Sequence, residues 1–232
     1  MKNGPGFVVE ERPSDSPFVE KVWRSDSGDV GSFISVVNAN WELVFTRQRG
    51  KTYVHLRGPE TKPTLAECPE EAEFLGIEFK VGTFVPLLPT TRLVDAEMEL
   101  PEAIAGSFRF GGDTWELPTF ENADTFVAEL VNEGLVARDP VVEAALGGHP
   151  PDLSPRTLQS HFRQATGLPY GAIRQILRAQ QTVRLLRKGV PIPDVIHEGG
   201  YFDQAHLTHS LKRFIGQTPA QFVSAPAPIS FF

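Results

Sequence analysis

The sequence predicts an α+β chain, with a mainly β, barrel-like front followed by an all-α back. Three observations carry this. The first 80 residues hold short runs rich in Val, Phe, Ile, Trp and Tyr, separated by Gly, Asn and Pro clusters, the pattern of antiparallel strands in a small sheet or partly closed barrel. From Ser154 onward apolar residues recur at helical spacing. The charge also changes sign along the chain. Met1–His149 carries 13 Lys and Arg against 25 Asp and Glu, whereas Pro150–Phe232 carries 9 against 4.

The 232 residues suit one large domain or two of ordinary size. The boundary is expected near residue 120, giving a β-rich 1–120 and a helical 121–232 with its core at 139–223. A hydrophobic content of 41% is enough for a packed core and excludes wholesale disorder. The single cysteine, Cys68, excludes an intrachain disulfide framework and a cysteine-based zinc finger. It fits a reducing, cytoplasmic setting. No run approaches the roughly 20 apolar residues of a membrane helix, and Met1–Asp15 lacks the apolar stretch of a signal peptide.

Strands are expected at Phe18–Arg24, Ser32–Val37, Trp41–Thr46, Thr52–Arg57 and Glu73–Lys80, with turns at Asp26–Gly31 and Arg47–Gly50. Phe74, Ile77 and Phe79 break strict alternation, which predicts a bulge or burial on both faces. Leu93–Leu100 is short and acidic. Ala123–Asn132 reads as a helix through Phe126, Val127 and Leu130, with Asn122 or Asp124 as cap. Asp139–Leu146 reads as another, with Pro140 in its first turn. Gly147–Asp152, GGHPPD, is a turn or linker. Gly171–Lys188 is the clearest helix. Its apolar stripe is Ile173, Ile176, Leu177, Val183 and Leu186, and Gly189 stops it.

The chain also repeats itself at an offset of 49 residues. Ser154–Gly167 (SPRTLQSHFRQATG) and Asp203–Gly216 (DQAHLTHSLKRFIG) each open on a capping residue and close on a glycine. Their apolar stripes are Leu158, Phe162 and Ala165 in the first, and Leu207, Leu211 and Phe214 in the second. The opposite faces present Arg156, Gln159, Ser160 and Arg163, then Ala205, Thr208, His209 and Lys212. Two such helices joined by a stiff helix of about 27 Å approach the roughly 34 Å between successive major-groove faces of B-DNA. Arg, Gln, His and Lys are able to bond base edges and phosphates there. His206 and His209, at i and i+3, are read as facing DNA or solvent rather than a metal.

From about Asp139 to Val223 the chain resembles the DNA-binding domain of the AraC/XylS family of bacterial transcription regulators. HEGGYFDQAHLTHSLKRFIGQTPAQF (His197–Phe222) is similar to that family's signature. It has the Gly200–Tyr201 turn, the Asp203–Gln204 helix start, the Leu207/Leu211/Phe214 core and the Gly216-x-Thr218-Pro219 close. LSPRTLQSHFRQATG resembles the first recognition helix. The resemblance implies two helix-turn-helix units on one linker helix and sequence-specific binding of double-stranded DNA. It also implies that Gln204 lies at the DNA. Arg178 stands where the family usually carries an arginine. Two features depart from the pattern. GGHPPD occupies the place of the helix that braces the first recognition helix, so residues 139–146 are expected to supply the brace. Ile196 and Phe202 are bulky beside the second turn, where Gly199 gives room back. Gly76–Ala103 (GIEFKVGTFVPLLPTTRLVDAEMELPEA) more loosely resembles a sensor domain found ahead of such modules, without the cupin metal motif.

The expected function is therefore effector-responsive control of transcription, with no cofactor and no catalytic site. Arg174, Arg178, Arg184, Arg187 and Lys188 would bind phosphates. Trp41 and Phe45 on one strand, with Tyr53 and His55 on its neighbour, are candidates to line a pocket for an aromatic small-molecule effector, and equally candidates for core. Two other readings stay open. One is a DNA-binding protein whose front half only forms a homodimer or contacts RNA polymerase. The other is an enzyme docked by its helical tail, for which the sequence offers no catalytic constellation. Cys68, in ECPEE, is read as an inert surface thiol, its pKa raised by flanking carboxylates.

Overall fold

The computed structural model describes residues 9–27, 31–102, 106–149 and 151–224. Its elements run β1 (Val9–Pro13), β2 (Val19–Asp26), β3 (Ser32–Ser35), β4 (Glu42–Gln48), β5 (Lys51–Arg57), β6 (Thr64–Glu67), β7 (Ala72–Phe79), β8 (Thr83–Phe84), a 3-10 turn (Thr90–Arg92), β9 (Glu97–Leu100), β10 (Ser107–Phe110), β11 (Asp113–Glu116), α1 (Ala123–Asn132), β12 (Ala137–Arg138), α2 (Pro140–Leu146), α3 (Pro155–Thr166), α4 (Tyr170–Arg187), α5 (Ile192–Glu198), α6 (Gln204–Ile215) and α7 (Pro219–Ser224). The β-rich front and helical back are as the sequence predicts.

The chain forms two compact units that do not follow chain order. The first comprises Met1–Val30, Asn40–Pro59 and Pro69–Tyr170; the second comprises Gly31–Ala39, Glu60–Cys68 and Gly171–Phe232.

The first unit is built on a six-stranded sheet in the order β1-β2-β7-β4-β5-β9, with every neighbouring pair antiparallel. Its edges β1 and β9 do not pair with each other, so the barrel-like front is an unclosed sheet. β4 and β5 join through Arg49-Gly50, both at positive φ (49° and 78°). This is the two-residue turn whose twist suits a hairpin. The expected irregularity near Phe79 lies in the partner strand: Val19 pairs with Phe79 and Lys21 with Glu78, so Glu20 is the extra residue of a bulge. Of the turn expected at Asp26–Gly31, residues 28–30 lie outside the described residues.

Period-2 alternation decides the two faces of the sheet. One face carries Trp41, Leu43, Phe45, Val54, Leu56, Ile77 and Phe79, all buried, and α1 covers it with Phe126, Val127 and Leu130. Edge-on aromatic contacts knit this layer: the Phe45 and Phe108 ring centroids lie 5.7 Å apart, and those of Trp115 and Phe126 6.1 Å apart. On the other face the Trp23 indole lies flat on β7. A Cβ on Gly76 would stand 2.1 Å from the ring, so only glycine permits this approach. Trp23 Nε1 donates to the Glu42 carboxylate. Burial raises the Glu42 pKa, against the opposing charge of Arg57, the Trp23 hydrogen bond and Lys21.

In the second unit β3 pairs with β6, and this ribbon accompanies α4 from Gly171, α5, α6 and α7. Two expectations about side chains are corrected here. Cys68 is buried, not on the surface, with its backbone N–H donating to the Gly31 carbonyl. Burial is what raises its thiol pKa. Bulky Phe202 does not crowd the second turn, because it points outward and is 91% exposed.

Candidate nucleic-acid interface

The repeat seen in the sequence is a pair of capped helices. In α3 the Ser154 hydroxyl accepts the Thr157 N–H. In α6 the Asp203 carboxylate accepts the His206 N–H. Gly167 (φ 76°) and Gly216 (φ 80°) close the two helices in the left-handed conformation. Phe162 and Ala165 are buried in α3; Leu207, Leu211 and Phe214 are buried in α6. The opposite faces carry Arg156, Gln159, Ser160 and Arg163 on α3, and Gln204, Ala205, His209 and Lys212 on α6, all exposed, with Thr208 half-buried.

In the first unit, α2 supplies the brace for α3. Asp139 is the hinge of this pair: its Oδ1 caps α2 by accepting the Val141 and Val142 N–H groups, while its Oδ2 lies 2.7 Å from His161 Nδ1 on α3. β12, just before α2, pairs with β8, and the Asp139 N–H donates to the Gly82 carbonyl. The far end of α3 rests on the 3-10 turn. The buried Thr90 hydroxyl lies 3.1 Å from the Arg163 carbonyl and 2.9 Å from that of Gln164. A Cβ on Gly167 would come within 2.9 Å of the Thr90 carbonyl oxygen. The first recognition helix is therefore built into the same unit as the front sheet.

In the second unit, α5 and α6 meet around Tyr201. Its hydroxyl lies 2.9 Å from Thr182 Oγ1 on α4 and 3.4 Å from Ser210 Oγ on α6. Its ring fills the space that a Cβ on Gly199 would need. Arg178 stacks on that ring, 4.8 Å from the centroid, and donates to the Gly200 carbonyl. Its guanidinium thus braces the turn of the second helix-turn-helix. Arg174, four residues earlier on α4, is exposed. The β3–β6 ribbon segment reaches α6 as well: the Val37 N–H donates to the Phe214 carbonyl at 3.2 Å. Gln180, buried on α4, donates to Asn38 Oδ1 at 3.2 Å. Each recognition helix thus has a C-terminal carbonyl held by a segment from the first 95 residues. Nothing periodic in the sequence signals Thr90 or Val37 in that role.

The four aromatic and histidine candidates of the front divide between faces. Trp41 and Phe45 belong to the buried core face. Tyr53 opposes Thr46 and His55 opposes Val44, which puts both on the other face. Trp41 Nε1 and His55 Nδ1 are buried without a hydrogen-bond partner. A void of ≈ 10 Å³, about one water, lies among Trp41, Leu56, Phe79, Thr83, Phe84, Val85 and Val136. Among the described residues no three His, Cys, Asp or Glu side chains converge to hold a metal ion, and no helix is long and apolar enough to cross a membrane.

A helix-turn-helix domain family matches residues 152–225, the span from just before α3 through α7. With its two capped helices, this makes the chain a DNA-binding transcription regulator. This helix-turn-helix domain occupies the C-terminal third of the chain, the part whose sequence resembles the AraC/XylS regulators. Among solved structures, the 1.65 Å structure of ToxT from Vibrio cholerae is similar over 94% of this chain and 98% of that one, with 7% identity and a TM-score of 0.38. No curated protein matches the chain.

Proposed function

We propose that the protein reads a bipartite operator, with α3 and α6 each entering a major groove. The observation that carries this is the pairing of a buried stripe with an exposed, base-capable face on both capped helices. Arg156 and Arg163 on α3, and Lys212 on α6, supply phosphate or guanine contacts. Gln159, Ser160, Gln204, Ala205, Thr208 and His209 supply base-edge chemistry. Arg174 adds a phosphate contact from α4, and Arg178 acts chiefly by setting the second turn. The test is binding-site selection from random duplexes, followed by affinity at several salt concentrations. A recovered motif whose affinity falls steeply with salt is expected. Recovery of no motif, or flat salt dependence, contradicts the proposal.

The front sheet, in this reading, makes DNA binding conditional on a small aromatic effector. The unpartnered Trp41 Nε1 beside the void supports it, since a buried polar atom without a partner is a place where a ligand gains a hydrogen bond. His55 Nδ1 lies on the other face of the sheet and belongs to no common pocket with it. The void beside Trp41 must open to admit a ligand, because drug-sized ligands occupy several hundred Å³. Titration with indole and with benzoate, followed by tryptophan fluorescence and operator affinity, tests this. A linked change in both supports a sensor. A front half that responds to neither but dimerises supports the interaction-domain reading instead.

A further inference from the structure

We propose that Phe202 is a specificity residue of the second helix-turn-helix that contacts a thymine methyl group at the edge of its half-site. The inference rests on the DNA-binding reading above and adds a residue and a base to it. Among the described residues Phe202 is the most exposed of the large apolar side chains, at 91%. Fixed geometry turns it outward. Tyr201 points inward to Thr182 and Ser210, whereas Phe202, at the bend that follows, faces solvent. Asp203, with φ −157° and ψ −179°, is the extended residue that caps the helix.

Phe202 is also tied to the reading helix rather than to a free loop. Its N–H donates to His206 Nδ1 in the first turn of α6 at 3.3 Å. The His206 ring in turn stands edge-on to Tyr201, with centroids 5.3 Å apart. The exposed ring therefore stands on a backbone tied to the start of α6, where Gln204 and Ala205 are also exposed. The charge around it suits DNA. From Gln204 to Gly216 the helix carries no acid, Lys212 and Arg213 lie in its last turn, and the carboxylate of Asp203 is spent on the cap. In the major groove the apolar group offered by a base pair is the C5 methyl of thymine, and phenylalanine is among the side chains that contact it.

Replacing single thymines of the selected operator by deoxyuridine removes that methyl and nothing else. The unmutated protein should lose about fourfold in affinity at one or two positions of the second half-site, the worth of one buried methyl. Phe202→Ala should bind thymine and deoxyuridine operators alike at one of those positions, while its melting curve stays unchanged. If no deoxyuridine weakens the unmutated protein, or if Phe202→Ala keeps every penalty, the inference is wrong, and contact with a protein partner becomes the better use of the ring. A protein that binds no duplex at all removes the DNA reading together with this inference, whereas one that binds DNA without this coupling removes the inference alone.

Discussion

Asp124 and Glu42 show opposite electrostatic designs within the front unit. The Arg12 guanidinium lies 2.6 Å from Asp124, and the Ser14 hydroxyl also donates to it. Burial acts to raise the Asp124 pKa, but these two partners outweigh it and hold the carboxyl below its ordinary value. Its contribution to stability is therefore complete above the unfolded carboxylate range and is lost as pH falls through the lower folded value. Asp124→Asn should flatten the acid limb of a stability–pH profile measured by urea denaturation. Glu42 has the reverse sign. With its folded pKa raised by burial, the native state takes up a proton before the unfolded one does, so stability rises as pH falls from above the folded value toward 4.5. Glu42→Gln keeps an oxygen for Trp23 Nε1 and removes the buried charge. It should be the more stable protein at neutral pH, with that advantage vanishing near pH 4.5; a lower melting temperature at pH 7 would contradict this. Arg163→Ala, whose side chain is exposed, should leave stability alone, weaken operator affinity and reduce the salt slope by about 1. Sequence showed the exposed arginines but not these partners, because Arg12 and Asp124 are 112 residues apart and no periodicity links them.

The recognition helices were legible at the level of elements because their signals are local. A capping side chain, an apolar stripe and a closing glycine lie within 14 residues, so the boundaries of α3 and α6 are as the spacing predicts. α1 was legible from its apolar residues alone, since neither Asn122 nor Asp124 caps it through a side-chain hydrogen bond, and α2 from its Asp139 cap and Pro140. The strands that escaped were those with weak local patterns. β1 is an edge strand reading VEERP, and β6 is TLAE. The β10–β11 hairpin turns through Gly111 and Gly112, both at positive φ, in a stretch too short to show alternation. The 3-10 turn at Thr90 was illegible as a support for α3, since it acts through one hydroxyl on two carbonyls 73 and 74 residues away. Thr90→Val removes that donor at nearly constant volume; the Arg163 carbonyl keeps the Gly167 N–H, while the Gln164 carbonyl loses the hydroxyl, at a cost of about 1–3 kcal/mol. Urea denaturation should record the loss, and protection of the α3 half-site should weaken more than that of the α6 half-site. Equal weakening of both halves would show that Thr90 supports the fold alone.

For the whole molecule, the acidic front and basic back visible in the sequence do not coincide with the two compact units. The first unit combines the front sheet with α2 and α3; the second combines the β3–β6 ribbon with α5 and α6. A division of this kind is invisible to composition, because it depends on which segments pack together and not on their order. Its functional meaning is that each helix-turn-helix has its own attachment to the front of the chain. The central claim is that both of them grip DNA. An α4 of 18 residues is about 27 Å long, close to one turn of the duplex. A hydroxyl-radical footprint of the unmutated protein on its selected operator tests this most directly. Two protected segments about 10 base pairs apart on one face of the duplex are the predicted result, and a single protected segment would contradict the account.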